Sequence, residues 1–61
     1  MIGKKVWVWS GRNKGLQATV ISNNGSEYFV DFGRKMRLKE FDMIVNDWYW
    51  VKHNDVEEVT E

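Results

Sequence analysis

Two groups of side chains in this sequence have the types and spacing to do recognition chemistry. The first is cationic: Arg12 and Lys14 lie in a loop bounded by Gly11 and Gly15, and Arg34, Lys35, Arg37 and Lys39 in a turn after Gly33 and the short strand that follows it. Lysine and arginine clustered in this way neutralise phosphates, each contact releasing a condensed counterion. A shared patch requires the two segments to meet at one end of the fold; apart, the same residues are ordinary solvated charges. The second group is aromatic. Trp7 and Trp9, and again Trp48 and Trp50, are spaced by two residues, so on strands each pair shares a face and leaves Val6, Val8, Tyr49 and Val51 on the other. Exposed indole rings stack on bases or cover a protein partner. Turned inward, they roof a core too small to close by itself. If the two strands are neighbours, all four rings make one continuous surface.

Other residues that could carry chemistry lack the arrangement for it. Tyr28, Phe29, Asp31 and Phe32 are the types that build a cage for a methylated cation, but strand alternation divides them between faces. His53, followed by Asn54 and Asp55, has no partner at metal-ligand spacing and reads as a surface residue. Glu57 and Glu58 are adjacent and point apart on a strand, which is poor geometry for paired acid and base work. Asn24-Gly25-Ser26 fits a glycosylation sequon, which matters only in a secreted protein. The expectation is a binding protein without catalytic residues, metal, cofactor or small-molecule substrate.

The elements that must position these groups are short strands. Lys5 to Trp9, Leu16 to Ser22 and Glu27 to Phe32 alternate apolar and polar residues at period two. Gly11 and Gly15 bracket the first loop, where at least one needs positive φ, and Asn24-Gly25 supplies a hairpin turn. Gly33 to Lys35 reads as a further turn and Met36 to Lys39 as a short fourth strand, with Met36 and Leu38 on one face and Arg37 and Lys39 on the other. Glu40 to Ile44 reads as a helical turn, Val45 to Asp47 as punctuation, Trp48 to Lys52 as a fifth strand and Val56 to Val59 as a short tail. No helical period extends beyond one or two turns.

Sixty-one residues make one domain, 1–61, whose marginal core must draw on its nine aromatic residues for burial. No cysteine is present, so disulfide and four-ligand zinc staples are excluded. With no signal-peptide pattern after Met1 and no membrane-length apolar run, the chain is expected to be soluble and cytoplasmic. The zero net charge hides an asymmetry. Residues 1–39 hold eight basic groups against two acidic, +6, whereas residues 40–61 hold Lys52 against seven acidic groups, −6. Either a basic face coexists with overall neutrality, or the two ends neutralise each other where the first and last strands of a barrel meet.

Val6, Val8, Gly11, Lys14, Gly15, Ala18 and Val20 form the pattern V-x-V-x-x-G-x-x-K-G-x-x-A-x-V. It resembles the KOW motif of NusG-family transcription factors and several ribosomal proteins, with Ala18 where that family usually has glycine. Tyr28 to Gly33 followed by Met36 to Phe41 is similar to the third and fourth strands of Tudor-type domains. Both resemblances imply an all-β, small SH3-like barrel of five or six short antiparallel strands. The KOW resemblance implies contact with RNA or a protein of the gene-expression machinery through the loop between two strands; with the residues read above, the expectation is a module that contacts nucleic acid, RNA or DNA, or that machinery through basic turns (Arg12, Lys14, Arg34, Lys35, Arg37, Lys39) and neighbouring rings (Trp7, Trp9, Trp48, Trp50). The alternative is a protein-interaction module or small regulatory subunit docking by its tryptophan-rich face. The size suits a bacterial or bacteriophage accessory protein.

Overall fold

The computed structural model of the chain describes residues 1–60. They form five antiparallel strands: β1 (Lys5–Val8), β2 (Leu16–Asn23), β3 (Glu27–Leu38), β4 (Met43–Lys52) and β5 (Val56–Glu58). A single 3-10 turn, His53–Asp55, joins β4 to β5. The sheet order is β4-β3-β2-β1-β5, a meander whose last strand returns to pair with the first. The all-β expectation holds, and the tail expected at Val56 to Val59 is the strand that meets β1. The sheet is not closed into a barrel: β4 and β5 stand at its two edges and share no ladder.

Alternation explains which residues meet. Val6 and Val8 of β1, Ala18 and Val20 of β2, Val30 of β3 and Val51 of β4 point to one side and form the buried core. Tyr28, Phe32, Tyr49 and Val56 pack around it. The aromatic residues therefore wall the core rather than fill it. Valine fits the centre because its branched side chain suits the pleat and loses little rotamer freedom there.

The middle of the chain departs from the sequence expectation. Gly33 to Lys35 is no turn, and Met36 to Leu38 is no separate strand: β3 runs unbroken through them. Likewise residues 43 to 47 are neither helical turn nor punctuation, because β4 begins at Met43. The physical reason lies in the ladder. Asp31 pairs with Trp48 and Lys35 with Asn46, so Phe32, Gly33 and Arg34 together face the single residue Asp47. A bulge absorbs the glycine that resembles a turn signal, with the Gly33 N–H donating to Asp31 Oδ1 at 2.8 Å. Beyond it, β3 and β4 continue as a two-stranded arm, Met36 pairing with Val45, Arg37 with Ile44 and Leu38 with Met43. The arm turns at residues 39–42, where Asp42 has φ 48°.

The loop from Gly11 to Gly15 has positive φ at both ends, 76° and 88°, yet the two sites differ in space. A Cβ on Gly11 would meet the Tyr49 hydroxyl at 3.2 Å, whereas one on Gly15 meets nothing within 4 Å. Gly15→Ala is therefore expected to lower stability by about 1–2 kcal/mol, the left-handed backbone penalty alone. Gly11→Ala should cost more, because Tyr49 must also move. Urea denaturation of both variants checks the order.

Candidate functional site

Strand alternation turns Asp47, Tyr49 and Val51 of β4 inward, and Asp47 is 0% exposed. A carboxylate taken out of water this completely must be paired and hydrogen-bonded. The β1–β2 loop and the β3 bulge supply the partners. Arg12 Nη2 donates to Asp47 Oδ1 at 2.5 Å, Arg34 Nε to Oδ2 at 2.8 Å, and Asn13 Nδ2 to Oδ2 at 2.9 Å. Arg34 Nη2 in turn donates to Asn13 Oδ1 at 2.5 Å, so the buried amide is satisfied on both sides. The Arg12 guanidinium also lies 4.5 Å from the centroid of the Tyr49 ring, while the Tyr49 hydroxyl is buried with no hydrogen-bond partner among the described residues.

Burial by itself pushes the Asp47 pKa up. Hydrogen bonds from Arg34, Arg12 and Asn13, together with the Arg12 charge, outweigh that effect and hold the carboxyl below the ordinary aspartate range. Arg12 and Arg34 thus come from the two basic segments and do meet, but they converge on a carboxylate. Their side chains remain about half exposed. Residue type alone does not single out Asp47 or Asn13. The available signal was positional: Asp47 occupies an inward place in the run Val45-x-Asp47-x-Tyr49-x-Val51.

A different face gathers the rings. The ladder pairs Phe29 with Trp50, Asp31 with Trp48, Lys35 with Asn46 and Arg37 with Ile44, and all of these point away from the valine core. Phe29 sits between the two tryptophans, its centroid 5.4 Å from Trp48 and 5.0 Å from Trp50, and both indoles are 42% exposed. Beside them an open hollow is lined by Asp31, Gly33, Arg34, Lys35 and Asn46. Arg37 pairs with Asp42 at 2.7 Å, but both side chains are largely exposed, and such pairs exchange readily for other counter-ions. Lys14 and Lys39 are exposed and form no ion pair among the described residues.

The four tryptophans do not make one surface. β1 and β4 are separated by β2 and β3, so Trp7 and Trp9 form their own stack, centroids 6.1 Å apart. Trp9 Nε1 donates to Glu57 Oε1 at 3.2 Å, which ties this pair to β5. The cage types divide as their alternation implies: Tyr28 and Phe32 pack on the core, Phe29 on the tryptophans. His53 is less free than expected, half-buried, stacked on Tyr28 at 4.0 Å and within 2.9 Å of Asn23 Oδ1. No protein-family model, curated protein or solved structure matches the chain.

Two measurements test the carboxylate cluster. A group whose folded pKa is depressed contributes stability that is present above its unfolded pKa and lost as pH falls through the folded one. Asp47→Asn should therefore be destabilised by about 1–3 kcal/mol near neutral pH, since the charge-assisted hydrogen bonds to the carboxylate are lost while the half-exposed arginine side chains can still be solvated. Its deficit relative to wild type should shrink as pH falls below about 4, as read by thermal unfolding across the acid range. Tyr49→Phe, by contrast, removes a buried hydroxyl that has no partner and is expected to be neutral or mildly stabilising.

Proposed function

We propose that this chain is a non-enzymatic binding module of the KOW or Tudor-like, SH3-like type. It contacts nucleic acid, or a protein of the transcription or translation machinery, through the outer face of β3 and β4. The observation that carries this reading is the ladder register: it sets Lys35 and Arg37 in line with Phe29, Trp48 and Trp50 on one ribbon face. From Trp50 to Ile44 that face runs about 20 Å at ~3.3 Å per residue, long enough for a few nucleotides. Bases would stack on exposed rings while the cationic end tracks the phosphates, a combination that binds single strands with little sequence preference. The return of β5 to β1 supports the SH3-like part of the reading.

Of the six cations expected from the sequence, Lys35 and Arg37 have the best placement. Lys14 and Lys39 are auxiliary, and Arg12 and Arg34 serve first to neutralise Asp47. Trp48 and Trp50 are the stacking pair; Trp7 and Trp9 cover β1. Partners of this kind reside in the cytoplasm, here that of a bacterial or phage-infected cell. No helix among the described residues is long and apolar enough to cross a membrane.

Titrating labelled single-stranded and duplex oligonucleotides at several salt concentrations tests the proposal. Single strands should bind more tightly, with affinity falling as salt rises. Lys35→Ala should reduce the log–log salt slope by about 0.7. Trp50→Ala should weaken binding by about 1–3 kcal/mol without altering that slope. If no nucleic acid binds at low salt, the same rings are a protein-docking surface instead.

A further inference from the structure

Rings and cations alone would hold a single strand without reading its bases, but the outer face of the ribbon also carries an acidic residue. Among its ladder positions from Phe29–Trp50 to Arg37–Ile44, Asp31 is the only one. A carboxylate repels a polyanion, so its place on such a face calls for a ligand group that donates hydrogen bonds. Asp31 is half-buried, and its Oδ1 accepts the Gly33 N–H at 2.8 Å, which fixes the side chain. Oδ2 has no partner among the described residues, and neither Lys5 nor Lys35 comes within ion-pair distance of it.

The β3 bulge opens the space in front of this carboxylate. Because Phe32, Gly33 and Arg34 together face Asp47, Asp31 and Lys35 come to line one hollow with Gly33, Arg34 and Asn46. Trp48 stands directly across the ladder from Asp31, with Cβ atoms about 5 Å apart. Asn46 follows Trp48 on the same face, about 7 Å along β4. Its side chain is exposed and makes no hydrogen bond among the described residues. Three unengaged groups thus surround the hollow: a carboxylate oxygen that accepts, an amide that donates, and an indole that is 42% exposed.

One nucleobase matches that set. The pairing edge of guanine carries two adjacent donors, N1–H and the 2-amino group, followed by the O6 acceptor. A carboxylate accepts from both donors, and an amide N–H serves O6. Adenine and cytosine set a ring-nitrogen acceptor beside their amino group, which a carboxylate repels; thymine and uracil offer one N–H between two carbonyls. Single-stranded bases are read on this edge while they stack on an aromatic ring.

We propose that the hollow beside Trp48 selects guanine in a single strand. The base lies on the Trp48 ring, gives N1–H and the 2-amino group to Asp31, and receives the Asn46 Nδ2–H at O6, while Lys35 is left for the adjoining phosphate. This inference rests on the nucleic-acid reading above and adds to it a base preference.

Oligothymidine and oligouridine strands of about eight nucleotides, each with one central base exchanged, test it at low salt. The wild-type chain should bind the strand with central guanine about tenfold more tightly than the strands with adenine, cytosine or no exchange. Hypoxanthine, which is guanine without its 2-amino group, should fall between. Asp31→Asn keeps an acceptor for the Gly33 N–H but puts an amide donor where the guanine donors arrive. It should lose the preference while binding the unexchanged strand at least as tightly, since a negative charge is gone. Equal binding of all strands by the wild-type chain overturns the guanine site and leaves the nucleic-acid face standing; absence of any binding overturns both. A guanine preference that folded Asp31→Asn retains also overturns the proposal. Should circular dichroism show that variant unfolded, the hypoxanthine strand decides, and its binding as tightly as the guanine strand is the overturning result.

Discussion

The carboxylate of Asp47 constrains the structure more than any other single group. A charge placed where water cannot reach it needs hydrogen-bond donors from several directions, and the chain supplies them from places distant in sequence. Asn13 and Arg12 fix the course of the β1–β2 loop; Arg34 fixes the bulge in β3. Two segments that would otherwise be independent, the loop and the bulge, thus share one anchor. The bulge in turn aims the arm, so the direction in which residues 35–46 leave the sheet depends on the same ion-paired group. In this sense the cluster is a joint between the valine core and the projecting ribbon.

The core owes its small cross-section to β-branched residues, and this determines where the rings go. Five valines and one alanine fill the interior, leaving no room for an indole. Aromatic residues with inward parity, Tyr28, Phe32 and Tyr49, lie around the rim, and those with outward parity gather on the far side of the sheet. The Phe29, Trp48 and Trp50 cluster is exposed for that reason. An aromatic cluster on the solvent side of a sheet stabilises its own strands by cross-strand contact while part of each indole stays in water.

Much of the fold was legible because alternation is a local property. The first three strands, the Asn24-Gly25 hairpin and the loop between Gly11 and Gly15 all follow from spacing and turn chemistry. The long β3 was not, because Gly33 and the polar run after it carry the composition of a turn, and only pairing with β4 shows that they form a bulge opposite one buried residue. The site was half legible. Residue types drew attention to the cations and the rings, and parity put Trp48 and Trp50 on one face. Which cations remain available depends on Asp47, and whether the tryptophan pairs join depends on strand order, two properties that arise only from contacts between segments far apart in the chain.

The pairing of β5 with β1 has a kinetic meaning. The arm closes over a handful of residues, whereas Val56 reaches Val8 only after about 50 residues have been ordered, and that difference in loop closure costs about 2 kcal/mol in chain entropy. β5 offers three residues in return. The meander β1 to β4 is therefore the part that nucleates, and β5 the strand that attaches last and detaches first. Each time it leaves, the outer edge of β1 loses its ladder partner, and Trp9 loses its bond to Glu57.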